Sequence, residues 1–252
     1  MKSNTAQRML VVDDEPDMAR GIRRILQLRG YSVQIAHSGE EAVEQAREFQ
    51  PNGILMDLRM PGIDGVQAYR QIRRLCPNAF VIFMTAFSSL VNDARGEGAV
   101  DVLTKPLNPT ATCELIARAL ITRPVLIVDD DEDFCSSLRR ILESKGSDVL
   151  TATTAEQALA FFEKRPRSVV LLDMHLGDAT GLELLRALKE RNPTALVIQM
   201  SGYSDMDDSM RQGLELSATA SFNKPLPIDA VLETIQVAMQ HPIAKKNPNQ
   251  SL

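Results

Sequence analysis

Leu10-Val11-Val12-Asp13-Asp14 and Leu126-Ile127-Val128-Asp129-Asp130 carry one pattern twice: a short branched apolar run that ends on two carboxylates. Such a run is too short for a buried helix, and it predicts a strand covered on both faces, as in a parallel sheet. The shift of 116 residues that superposes the two runs aligns the chain without a gap as far as Ser88 and Ser204. Arg23-Arg24-Ile25-Leu26 falls on Arg139-Arg140-Ile141-Leu142, Gly30 on Gly146, Asp57 on Asp173, Gly65 on Gly181, Pro77 on Pro193 and Thr85 on Ser201. Lys105 and Lys224 are 119 apart, so the second half holds three extra residues between Ser204 and Lys224. A period this long is no solenoid repeat; each copy is expected to have its own core.

Within the first copy, strand candidates are Met9–Val12, Ser32–Ala36, Gly53–Met56, Phe80–Met84 and Val100–Leu103. Amphipathic stretches separate them. Asp17–Leu28 puts Met18, Ile22, Ile25 and Leu26 on one face and stops at Gly30. Ser38 with Glu41 has the spacing of a capping box, and Pro109 suits the first turn of a last helix running to about Leu120. Five β-α units with short connections predict right-handed crossovers, an α/β fold and a doubly wound sheet. In such a sheet the active crevice lies at the carboxyl ends of the strands.

The polar residues fall at those ends. Asp13 and Asp14 close the first strand, Asp57 the third, Thr85 the fourth, and Lys105 follows the fifth. Asp129, Asp130, Asp173, Ser201 and Lys224 repeat the arrangement. Taken singly, an Asp-Asp pair is a turn and helix cap, and a lone Thr or Lys carries almost no information. The whole set in one order, twice, is a site. Three close carboxylates raise one another's pKa, and a hard divalent cation such as Mg2+ relieves the conflict. A carboxylate is also a nucleophile toward phosphorus, while a hydroxyl, an ammonium and the metal suit the phosphoryl oxygens.

The motifs Leu10–Pro16, Met56–Gly65, Met84-Thr85-Ala86 and Leu103–Pro106 resemble the receiver domain of bacterial two-component response regulators. Leu126–Asp131, Leu171–Leu176, Met200-Ser201-Gly202 and Phe222–Pro225 resemble it again, so the likeness covers nearly the whole chain. The resemblance implies two flavodoxin-like receiver domains, 6–121 and 123–240, of strand order 2-1-3-4-5. It implies a phosphoprotein of a phosphorelay, phosphorylated by a histidine kinase or histidine phosphotransfer protein on Asp57 and Asp173. Asp14 and Asp130 would bind Mg2+ directly, Asp13 and Asp129 chiefly through metal-bound water. The backbone carbonyls of Arg59 and His175 would complete the shell. Thr85, Lys105, Ser201 and Lys224 would contact the phosphoryl group, with cis peptides at Pro106 and Pro225.

Some positions depart from that pattern. Three residues before each Lys, where the family commonly has an aromatic switch, stand Val102 and Ser221. Thr85 to Lys105 is 20 residues and Ser201 to Lys224 is 23, and Gly96 and Gly98 make the intervening segment of the first copy a poor helix. Gly177 replaces Pro61, His175 reads as a partly exposed residue lining the site, and His37 and His241 read as surface residues.

Net charge is −5, with 44% hydrophobic and 24% charged residues, which argues against nucleic acid or an anionic membrane as partners. Cys76, Cys113 and Cys135 show no C-x-x-C spacing and suit a reducing cytoplasm; no signal peptide or membrane-spanning run is visible. Thr122-Arg123-Pro124 forms a short, Pro-stiffened linker, and 241–252 is a polar tail too short to fold. The expected function is a signalling module, not an enzyme with an external substrate, that works through protein contacts including a homodimeric or interdomain one. It would have no attached output domain, unless the chain is the start of a longer regulator; a phosphate relay or sink is the alternative.

Overall fold

The structure is a computed structural model that describes residues 6–87, 91–177, 179–202 and 209–240. The expected tail 241–252, with His241, lies outside the described residues. Two compact units divide between Leu120 and Ile121.

In the first unit the elements are β1 (Arg8–Val12), α1 (Pro16–Leu28), β2 (Ser32–Ala36), α2 (Gly39–Phe49), β3 (Gly53–Asp57), α3 (Gly65–Leu75), β4 (Phe80–Thr85), α4 (Val91–Gly96), β5 (Asp101–Thr104) and α5 (Pro109–Ile121). All strands pair in parallel in the order β2-β1-β3-β4-β5. Alternation along the strands explains the two layers. Met9, Val11, Leu55, Ile82 and Met84 pack against Ala19, Ile22 and Leu26 of α1 and Ile116 of α5. Leu10, Val12, Ile54, Met56, Val81 and Phe83 face Ala42, Ala68, Ile72 and Ala94 on α2, α3 and α4.

The second unit repeats this with β6 (Val125–Val128), α6 (Glu132–Ser144), β7 (Val149–Ala152), α7 (Ala155–Lys164), β8 (Val169–Asp173), β9 (His175–Leu176), β10 (Ala179–Thr180), α8 (Gly181–Arg191), β11 (Leu196–Ser201), α9 (Ser209–Glu215), β12 (Ala220–Asn223) and α10 (Ile228–Gln240). Its sheet order, β7-β6-β8-β11-β12, is the same 2-1-3-4-5. Both units are flavodoxin-like α/β domains.

The details correct the local readings in two places. Ser38 does cap α2 by accepting from Glu41 N–H, but Glu41 reaches back to the N–H of His37 rather than of Ser38. The reciprocal capping box is at α3, where Asp64 and Gln67 satisfy each other's backbone N–H. β3 and β4 each run one residue further than their apolar runs, so Asp57 and Thr85 belong to their strands, and β5 covers Asp101–Thr104 rather than Val100–Leu103. In the second unit, where Gly177 replaces Pro61, the loop after Asp173 forms a small antiparallel ladder, β9 with β10.

The fourth helix rests on different floors in the two units. Phe83 meets Tyr69 edge-on at 5.7 Å between ring centroids beneath α4. At the matching place the second unit has a fully buried Gln199, whose amide lies against Gly213 of α9 where a Cβ would have to displace it. An apolar side chain the size of Phe83 contributes about 1.5–3 kcal/mol on burial, which an amide does not.

Candidate functional site

Backbone ladders carry the site residues to one edge of each sheet. Asp13 N–H donates to the Ala36 carbonyl at 3.1 Å, extending the β1–β2 ladder by one residue; Lys105 N–H donates to the Thr85 carbonyl at 2.8 Å, extending β4–β5. Leu58 N–H donates to the Met84 carbonyl at 3.0 Å, which holds the residue after Asp57 in register. The second unit repeats these bonds at Asp129 to Ala152, Lys224 to Ser201 and Met174 to Met200.

The side chains then converge. Asp13 is fully buried and Asp57 nearly so, while Asp14 is exposed. Their carboxylate oxygens lie within 4.8 Å of one another, and so do those of Asp129, Asp130 and Asp173. Lys105 Nζ bridges Asp57 Oδ2 at 2.5 Å and Asp13 Oδ2 at 2.8 Å. Lys224 Nζ bridges Asp129 Oδ2 and Asp173 Oδ2, each at 2.6 Å. The other oxygen of each central aspartate is also held: Asp57 Oδ1 accepts from Arg59 N–H and Asp173 Oδ1 from His175 N–H, both at 3.1 Å. Asp13 Oδ1 and Asp129 Oδ1 accept from Glu15 N–H and Asp131 N–H two residues on.

Burial pushes the Asp13 and Asp129 carboxyls above the usual carboxylate range, against the pull of the neighbouring lysine. Burial disfavours the charged lysines too, yet the hydrogen bonds and charges of two carboxylates outweigh it and raise both Lys105 and Lys224. Three carboxylates meet one ammonium at each site, and all the acidic donors are hard oxygens. Asp13 Oδ2 and Asp129 Oδ2 are buried and meet the lysine as ion pairs. Buried carboxylate oxygens whose charge exceeds that of the one ammonium fit Mg2+.

Thr85 and Ser201 are buried at the same edge, but neither hydroxyl bonds the acceptor. Thr85 Oγ1 accepts from Phe87 N–H at 3.0 Å, and Ser201 Oγ lies 3.3 Å from the Gly202 carbonyl it donates to. His37 is exposed, as expected of a surface residue, but it is also anchored: Nδ1 lies 3.1 Å from the Asp13 carbonyl oxygen. Both Lys-Pro bonds are cis.

The family model for the response regulator receiver domain matches residues 9–117 and again 125–236. The chain belongs to that family. It is a tandem receiver-domain response regulator of two-component signalling, and phosphorylation and Mg2+ binding at an acidic pocket are general to the family. A response regulator receiver protein of Anaeromyxobacter sp. (strain Fw109-5) is 29% identical over 232 residues, covering 91% of this chain and 94% of that protein. Response regulator MprA of Mycobacterium ulcerans (strain Agy99) is 38% identical over 129 residues, 50% of this chain and 53% of that protein; the chain thus spans about half the length of that regulator. Among solved structures, the Thermotoga maritima response regulator TrrA in complex with Mg2+-BeF is 31% identical over 45% of this chain and 98% of its own, with a TM-score of 0.42. Receiver domains are signalling proteins that interact with histidine kinases or phosphotransfer proteins. Among the described residues, no helix is long and apolar enough to cross a membrane.

Residue-by-residue reading gave no role to Phe134 or to Gly65 and Gly181, and gave Arg59 only its backbone carbonyl. Phe134 lies against Lys224, with the ring centroid 4.5 Å from Nζ. The Arg59 guanidinium lies 4.9 Å from the Phe87 ring centroid at the mouth of the first site. Gly65 and Gly181 lie so close to the acceptor strand end that a Cβ would strike the Asp57 or Asp173 carbonyl oxygen. Only the glycines left a trace in the sequence, as one residue type repeated at the shift of 116.

Proposed function

We propose that Asp57 and Asp173 are the phosphoacceptors, each taking a phosphoryl group from a phosphohistidine of a histidine kinase or histidine phosphotransfer protein in the cytoplasm. The observation that carries this reading is the lysine bridge. In both units one ammonium spans the central aspartate and its buried neighbour at 2.5–2.8 Å, while a backbone N–H fixes the other oxygen. A carboxylate oxygen attacks phosphorus, the P–O bond forms as the P–N bond breaks, and the imidazole nitrogen leaves with the electron pair and is then protonated. Lys105 or Lys224 follows the phosphoryl oxygens, and Thr85 or Ser201 turns its hydroxyl from the local carbonyl or N–H toward one of them. Asp13, Asp14 and Asp57 would hold Mg2+ with the Arg59 carbonyl, and Asp129, Asp130 and Asp173 would do so with that of His175. When bound, the ion neutralises charge on the transferring phosphoryl group.

Output passes through protein contacts, with the other receiver or a second copy of the chain as partner. The face around α4 and α9, where the units differ in length and packing, supports this choice. Intact mass after incubation with acetyl phosphate and Mg2+ should show two phosphoryl additions. Asp57→Ala should remove one and Asp173→Ala the other, and a chelator should abolish both. A single variant that loses all labelling, or labelling that survives chelation, would refute the assignment. Sedimentation and small-angle scattering with beryllofluoride test the partner; unchanged mass and envelope at full occupancy sink it.

A further inference from the structure

Two receivers in one chain invite a comparison of how each holds its lysine. Lys105 is enclosed: its side chain is 10% exposed, and the residue at the start of α1 that matches Phe134 is Met18. Lys224 is less protected, at 25%, and it has an aromatic face beside it instead. The sequence around that ring is built to fix it. Asp131 caps α6 by accepting from the Phe134 N–H at 2.9 Å, so the backbone of the ring-bearing residue is pinned by the helix end itself. The matching residue before α1, Glu15, makes no side-chain cap, and Pro16 follows it. The ring is half-buried and packed on the core that includes Cys135, Leu138 and Ile235. It therefore cannot swing away without losing core contact.

We propose that Phe134 is a positioning residue for Lys224, holding its ammonium at the second site while the carboxylate charges there change. The inference rests on Asp173 being an acceptor. Before transfer, Lys224 has two carboxylates to bind. Once one oxygen of Asp173 is bonded to phosphorus as an acyl phosphate and a cation has taken up the acidic pair, those attractions weaken. The quadrupole of the ring does not, because it responds to neither proton, metal nor phosphate. The ammonium stays within reach of the phosphoryl oxygens on a tether that is independent of the reaction. In the first unit close burial does the same job, and the ring is dispensable there.

The test uses the full chain in an Asp57→Ala background, so that labelling reports Asp173 alone. Phe134→Leu keeps an apolar side chain and removes the π face; Phe134→Tyr keeps the face. Phosphorylation of Asp173 is followed against acetyl phosphate concentration at saturating Mg2+, with thermal unfolding measured alongside. Phe134→Leu should slow the step at saturating donor by about three- to tenfold, the effect of losing a cation–π contact of intermediate exposure, and Phe134→Tyr should retain the parent rate. A Leu variant as fast as the parent, or a Tyr variant as slow as Leu, overturns the proposal. A second readout does not depend on labelling. The ε-methylene protons of Lys224 should be shifted upfield by the ring in the parent and in Phe134→Tyr, and not in Phe134→Leu. Absence of that shift in the parent overturns the contact. If the shift is present but Asp173 takes no phosphate in the parent, the acceptor reading has failed and the positioning role falls with it.

Discussion

Gly181→Ala puts a methyl group where the end of the acceptor strand already is. An ideal Cβ at Gly181 would lie 2.5 Å from the Asp173 carbonyl oxygen and 2.6 Å from the Met174 Cα, whereas ordinary contact begins at 3.4 Å. Both obstacles are backbone and cannot rotate aside. The start of α8 must then retreat by roughly 0.5–0.9 Å from the residue carrying the acceptor. The bond from Gly181 N–H to the Met174 carbonyl, now 3.0 Å, opposes that retreat. Overpacking costs about 1–3 kcal/mol, here toward the upper end, while replacing glycine in a helix returns at most about 1 kcal/mol. A net loss of about 2 kcal/mol follows. Misplacing a reacting group by about 1 Å can cost on the order of a hundredfold in rate, so labelling of Asp173 should fall by at least about tenfold. Urea unfolding and site-resolved labelling measure the two effects. Gly21→Ala, in the middle of α1 with nothing within 4 Å of its Cβ, is the control and should be stabilising by about 0.4–1 kcal/mol. Gly181→Ala with parental stability and labelling would refute the steric argument. So would an equal loss in Gly21→Ala, since that would implicate helix glycines in general.

Phe87→Gln or Phe87→Glu should speed hydrolysis of the phosphate on Asp57 by roughly three- to tenfold, short of the roughly 10²–10⁴ of a dedicated general base. The ring is half exposed, stacks with Arg59 and offers an attacking water no polar group; equal or slower decay in a pulse-chase would contradict this. The companion idea, that the Tyr203 phenol orients such a water at the second site, falls outside the described residues. Cys76 and Cys135 are buried, and desolvation pushes each thiol up to about 11. At pH 8 about one in a thousand of each is thiolate, so native-state alkylation should spare both while urea exposes them. Rapid native modification at either position, read by peptide mass, would show that its strand–helix layer opens.

The composition of this chain and its periodicity were enough to specify two doubly wound α/β units and the five residues gathered at each edge. The reason is that a strand buried on both faces must be an apolar run, and a crossover topology delivers the residue after each run to the same side. Met9–Val12 and Val125–Val128 could hardly have been anything else. Exact strand ends were less legible, because Asp57 and Thr85 are polar residues that finish buried strands, and their pairing rather than their polarity keeps them in the sheet. The capping of α2 was misread in its second half for a related reason: Glu41 had two N–H groups in reach, and the approach of the chain through His37 chose between them. What only the tertiary structure decided is which atoms meet. Lys105 and Asp57 are 48 residues apart and Lys224 and Asp173 are 51 apart. Phe134 reaches Lys224 only because α6 starts beside the loop that follows β12. Such contacts depend on register and helix placement summed over a whole sheet, and short-range periodicity carries no record of that sum.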